Sequence, residues 1–200
     1  MKYVHNNQGG FSLVEVLVAV TILLLVMAGP MRVLTSATNS TTYSSEQIVA
    51  YFLAQEGLEL IQLGRDDLVL GDFKDLINTT TDEPDPWTQF QLDYTSCING
   101  TCGLSPTNTG KTYTVTNCNT LTNCQLYLNA TAGDRARYTH TAAGNAITPY
   151  TRTIRIGMIT VGGRIQGAVA TSTVTWRTGS LIASQQVELV TYLTNVYDTN

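Results

Sequence analysis

One acid, Glu15, sits inside an apolar run that has no other charge from Phe11 to Ala28. At about 1.5 Å per helical residue this run spans about 27 Å, close to the hydrocarbon thickness of a bilayer. A carboxylate one turn into such a segment costs on the order of 2.5–3.5 kcal/mol on insertion scales. Its presence there calls for a function and for a partner group that offsets its charge.

A secretory signal peptide has an apolar run of about 7–15 residues followed by a small-residue cleavage site. Here the run is longer, and Val26-Met27-Ala28 is a poor A-x-A match. An ordinary single-span anchor accounts for the length but not for Glu15 or the Gly10-Phe11 junction. The stretch Gly10-Phe11-Ser12-Leu13-Val14-Glu15 closely resembles the class III signal of type IV pilins and type II secretion pseudopilins, over roughly residues 8–30.

That resemblance implies a sequence of events. A prepilin peptidase/methyltransferase cuts on the cytoplasmic side between Gly10 and Phe11 and N-methylates Phe11. Glu15 becomes the acid at the fifth mature position. The implied partners are other pilin or pseudopilin subunits, an inner-membrane assembly platform, and membrane lipid before assembly. The implied location is a single-pass precursor in the cytoplasmic membrane with its N-terminus inside, then a cell-surface or periplasmic filament.

Elementary chemistry fits these events. Gly10 lacks a Cβ, so a protease can approach its backbone closely. The leader, Met1 to Gly10, carries Lys2 and no acid, a weak bias toward a cytoplasmic N-terminus. Once the leader is gone, the free amine of Phe11 on a neighbouring subunit offers Glu15 a counter-charge. A protonated Glu15 at the lipid interface is the open alternative. Pro30 lies near the place where many members carry a helix-kinking proline, and it predicts a local helix break.

The 200 residues allow four segments: a leader (1–10), a transmembrane and assembly helix (11–30), an exported amphipathic helix (31–64) and a globular β domain (65–200). In the second helical segment Val49, Leu53, Leu60 and Ile61 recur near helical spacing. The tract Thr35 to Ser45 has poor helix propensity and leaves continuity of the helix open. Residues 65–110 read as an irregular connection with a breaker at Asp82-Glu83-Pro84-Asp85-Pro86. Trp87, Phe90 and Tyr94 are expected to pin it to a sheet edge.

From Lys111 onward strands take over: Thr112–Thr116, Gln125–Leu128, Arg152–Val161, Arg164–Trp176 and Leu181–Leu193. Gly162-Gly163 is a strong hairpin signal. Alternation in Ile154/Ile156/Met158, Val174/Trp176 and Val187/Leu189/Leu193 gives one face to pack on the helix. The expected fold class is α+β: a long N-terminal α-helix with an antiparallel meander of about four or five strands on its exported half. The resemblance implies the same architecture.

Charge is low, 13% of residues with a formal net of −4, which suits an exported β-rich domain and gives no hint of a nucleic-acid partner. Residues 46–93 hold eleven acids against Arg65 and Lys74, whereas residues 111–177 hold seven bases against Asp134. Internal neutralisation and docking between neighbouring subunits are both open.

Cys97, Cys102, Cys118 and Cys124 lie in Asn/Thr/Gly-rich loops, and four cysteines allow three pairings. Local closure, Cys97–Cys102 and Cys118–Cys124, is favoured because each bond pins a short loop, and it fits an oxidising compartment. The spacings are loose for zinc, and no metal or other cofactor is expected.

No catalytic residue is expected. His140 is the single histidine beyond the leader, read as an exposed loop residue without an acid–base partner. There is no nucleophile elbow, P-loop, zincin or dinucleotide motif. The leading function is a structural subunit, of the minor kind, in a type IV pilus or related filament. A type II secretion pseudopilin shares every motif. A third reading is an adhesin or DNA-uptake receptor using a basic strand face, Arg152 and Arg155 with Arg164, Arg177, Tyr138 and Tyr150.

Overall fold

A computed structural model of the chain describes residues 10, 12–78, 85–106, 113–118, 124–130, 136–178 and 183–195, without the side chains of 72–78. The chain divides into two compact units, Met1–Ser45 and Glu46–Asn200. The first helix, α1 (Leu13–Asn78), begins in the first unit and ends in the second. With the antiparallel sheet that follows it, the architecture is α+β.

In the first unit every described residue from Ser12 to Thr42 is exposed. The helix opens on the Ser12 carbonyl, which accepts from the amides of Glu15 and Val16 at 3.0 and 3.2 Å. Pro30 sits inside α1 without ending it, contrary to the break its sequence predicts. The Thr/Ser tract is helical too. The hydroxyls of Thr35, Thr38, Thr41, Thr42 and Ser44 each donate to the carbonyl four residues back, at 2.9–3.0 Å. Such back-bonding satisfies the hydroxyls within the helix, at a slight cost in its stability.

In the second unit α1 buries one stripe: Ala50, Leu53, Ala54, Leu58, Leu60 and Ile61. Burial of each Leu or Ile contributes about 1.5–3 kcal/mol. The helix does not stop at Gly64 but continues to Asn78, so residues 65–78 are helical rather than part of an irregular connection. Gly64 is an interior glycine for a packing reason. A Cβ there would overlap the hydroxyls of Tyr94 and Tyr113.

Two short helices follow, α2 (Pro86–Asp93) and α3 (Thr95–Ile98). Asp85 caps α2, its carboxylate accepting from the amides of Trp87 at 3.0 Å and Thr88 at 3.2 Å, with Pro86 in the first turn. The Asp85-Pro86 pair thus starts a helix; Asp82, Glu83 and Pro84 lie outside the described residues. Trp87, Phe90 and Tyr94 are core residues, at most 3% exposed, rather than pins on a sheet edge. Phe90 packs on Tyr94 with ring centroids 4.6 Å apart, and Tyr94 stacks on Tyr113 at 5.4 Å.

The sheet has seven strands among the described residues: β1 (Cys102–Pro106), β2 (Tyr113–Asn117), β3 (Gln125–Asn129), β4 (Arg137–Thr139), β5 (Ala146–Val161), β6 (Arg164–Trp176) and β7 (Gln185–Thr194). β5, β6 and β7 form a consecutive antiparallel meander. The rest departs from the expected four- or five-stranded meander. β5 is long enough to pair with β6 along one edge and with both β1 and β3 along the other. The β5–β6 turn is Gly162-Gly163, both with positive φ (61° and 81°), the conformation a tight primed turn requires. Ile154, Ile156, Ala168, Ala170 and Leu193 face the core with Leu58, Leu60 and Ile61.

Candidate functional site

Gly10 is exposed, and nothing lies within 4 Å of the position a Cβ would take, so its backbone is open to approach. Phe11 lies outside the described residues. Glu15 occupies the first turn of α1, where a carboxylate complements the positive end of the helix dipole. It is exposed and lies along a shallow apolar groove with Val16, Ala19, Val20 and Leu23. These residues recur at i, i+4 and i+8, so the acid belongs to an otherwise apolar stripe. Along the same helix Leu13, Leu25 and Met31 are 78%, 76% and 75% exposed. By length and composition α1 can cross a membrane. The apolar surface of its first-unit part is unburied within the single chain, and only lipid or other protein can remove it from water.

The cysteines are brought together in sequence-local pairs. Cys97, on α3, is bonded to Cys102 at the start of β1, with Cα atoms 4.8 Å apart. Cys118, just after β2, is bonded to Cys124, just before β3, at 5.4 Å. All four are buried. Among the described residues no group of three or more His, Cys, Asp or Glu side chains could hold a metal ion.

The proposed basic strand face does not form. Residues three apart on a strand point to opposite sides, and Arg155 is exposed while Arg152 is fully buried. Arg152 donates to the Leu53 carbonyl at 2.9 Å, to Glu56 Oε2 at 2.6 Å and to the Leu104 carbonyl at 2.5 Å. Burial pushes the guanidinium below its ordinary value, and the Glu56 carboxylate opposes that shift. Tyr150 is 6% exposed, and its hydroxyl donates to the Glu46 carbonyl at 3.4 Å. Burial, then the Glu46 charge, pushes its phenol up to about 12. Lys111 and Arg135 lie outside the described residues.

His140 is not an exposed loop residue. Its ring lies against Gly103, where a Cβ would overlap it. Nε2 lies 3.3 Å from the Arg152 carbonyl and Nδ1 lies 3.1 Å from Ser105 Oγ. A carbonyl only accepts, so Nε2 carries the proton and Nδ1 accepts from the serine hydroxyl. Burial and the nearby Arg152 charge lower the imidazole to about 4, which keeps it neutral. The sequence held one signal for this network: Arg152 falls in phase with Ile154 and Ile156, on the inward side of the strand. Nothing in it paired Arg152 with Glu56 or His140.

Residues 5–29 match the family model of the prokaryotic N-terminal methylation motif, the signal of type IV pilins and pseudopilins. That motif implies processing by a prepilin peptidase and assembly with other pilin-type subunits, and with α1 it fits a membrane-anchored precursor. No curated protein and no solved structure matches the chain.

Proposed function

We propose that the chain is a structural subunit, of the minor kind, of a type IV pilus or related filament, with no catalytic centre of its own. A prepilin peptidase cuts between Gly10 and Phe11, Phe11 is N-methylated, and an inner-membrane platform moves the subunit from lipid into a bundle of N-terminal helices. The observation that carries this reading is the methylation motif joined to a helix start where Glu15 is the one acid on an exposed apolar surface. Lipid holds that surface before assembly and neighbouring helices cover it afterwards, at about 25 cal/mol per Å² withdrawn from water. Glu15 then sets the axial stagger. A neighbour's N-terminal amine satisfies it in one register, and any other register leaves a buried charge unpaired.

Mass measurement of the N-terminus of sheared filaments tests the proposal. The expected mature chain begins at N-methylated Phe11. Material beginning at Met1 overturns it. So does unchanged processing after Gly10→Trp, which fills the open space beside the cut.

A further inference from the structure

β1 and β3 share one edge of β5: Cys102 pairs with Ile154, and Gln125 to Leu128 pair with Thr151 to Ala146. The β1–β2 and β3–β4 pairs therefore leave the same strand side by side, and a cleft of about 430 Å³ lies between them. One wall carries Ser105 and Thr114, the other Asn129, Arg137 and Thr139, and Asn145 lies in the turn after β4. The two sides are joined where Ser105 Oγ accepts from the His140 amide at 2.9 Å. Ser105 and Thr139 are 2% and 8% exposed, so this part of the lining is fixed rather than a mobile surface.

The chemistry of the lining is selective. Among the described residues, hydroxyls, amides and the Arg137 guanidinium line it together with the small apolar Pro106 and Ala143, and none of them is an acid. The Arg137 guanidinium suits a carboxylate, which it can engage with two parallel N–H donors. Hydroxyl and amide groups suit a ligand that carries several hydroxyls of its own. The volume falls in the range of small-ligand sites.

We propose that this cleft binds a hydroxylated carboxylate of monosaccharide size, a sugar acid of the hexuronate class. Arg137 takes the carboxylate, and the Thr114 and Thr141 hydroxyls with the Asn145 amide take the ring hydroxyls, beside the buried Ser105 and Thr139. The site lies in the second unit and does not depend on the filament reading.

The test is calorimetric titration of the full-length chain in detergent with glucuronate, glucose and inorganic phosphate. Glucuronate is expected to bind at least tenfold more tightly than glucose. Arg137→Gln is expected to abolish that preference. Thr114→Val, isosteric on β2 across the cleft, is expected to weaken both sugars while leaving their ratio unchanged. Circular dichroism of each variant separates a lost site from a lost fold. Absence of glucuronate binding to folded wild-type protein overturns the proposal, as does an unchanged preference in folded Arg137→Gln. Phosphate binding as tight as glucuronate also overturns it, because the site is then a plain anion site. Filament formation is scored separately, so failure of either reading is distinguishable from failure of the other.

Discussion

Arg152 Nη1 donates to Glu56 Oε2 at 2.6 Å and joins the middle of β5 to α1. The guanidinium is fully buried and the carboxylate is 34% exposed, so the pair is asymmetric. Removing the arginine takes away the side-chain donor shared by the Leu53 and Leu104 carbonyls, whereas removing the acid leaves a buried cation.

Arg152→Ala is expected to lower stability by roughly 2–5 kcal/mol, through the cavity left by a fully buried side chain and its lost hydrogen bonds. Glu56→Gln, which keeps an acceptor oxygen, is expected to cost less. Urea unfolding of the full-length chain in detergent, followed by near-ultraviolet circular dichroism of the buried aromatic residues, measures both. Equal small effects would show that the pair behaves as a surface contact.

His140 gives the fold a pH dependence with a definite sign. Its folded value, about 4, is below the ordinary 6.5, so the folded state favours the neutral ring. The stability this contributes is fully present above pH 6.5 and is lost as pH falls through 4. Its size is on the order of 2 kcal/mol once partial solvent screening is allowed for. The expected result is a steeper loss of stability between pH 6.5 and 4 in wild type than in His140→Asn. Parallel profiles would remove the imidazole from the account.

Two glycines of α1 have opposite expected behaviour. Gly64→Ala puts a Cβ into the Tyr94 and Tyr113 hydroxyls and is expected to destabilise by about 1–3 kcal/mol, as overpacked cores do. Gly71 has nothing within 4 Å of the corresponding position, so Gly71→Ala is expected to stabilise by up to about 1 kcal/mol. Thermal unfolding midpoints of the two variants decide this, and a shift of the same sign in both contradicts it.

Glu15→Val keeps the residues around the Gly10 cut and removes the acid. Processing is expected to remain complete while incorporation into filaments falls at least tenfold. The ratio of sheared to membrane-retained mature protein measures the fall. Normal incorporation would show that Glu15 does not set the stagger.

What sequence revealed here followed physical range. The Phe11–Ala28 run and Glu15 are local features, and the helix and the methylation signal were readable from them. Alternation placed β6 on its observed residues and β5 to within six residues of its start. Gly64 looks like a helix end in the sequence because its packing role depends on Tyr94 and Tyr113, 30 and 49 residues away. β1 and β4 escape a sequence reading for different reasons: Cys102–Pro106 holds Gly103 and Pro106 where a strand pattern needs β-branched or aromatic residues, and Arg137–Thr139 is three residues long. Arg152 and His140 read as surface groups because charge and polarity mark exposure on average. Only the folded contacts show the Leu53 and Leu104 carbonyls and the Glu56 carboxylate that make burial of a guanidinium tolerable.

β5 holds β6 on one side and both β1 and β3 on the other, and it also carries Arg152. Attachment to the helix runs through β5 and its neighbours β6 and β7, whereas the outlying β2 and β4 each pair with a single strand. Lengthening or diversifying the chain beyond those outer strands leaves the clasp on α1 untouched. Such a division lets the outward surface change in shape and chemistry while the part that mounts it on the helix keeps its contacts.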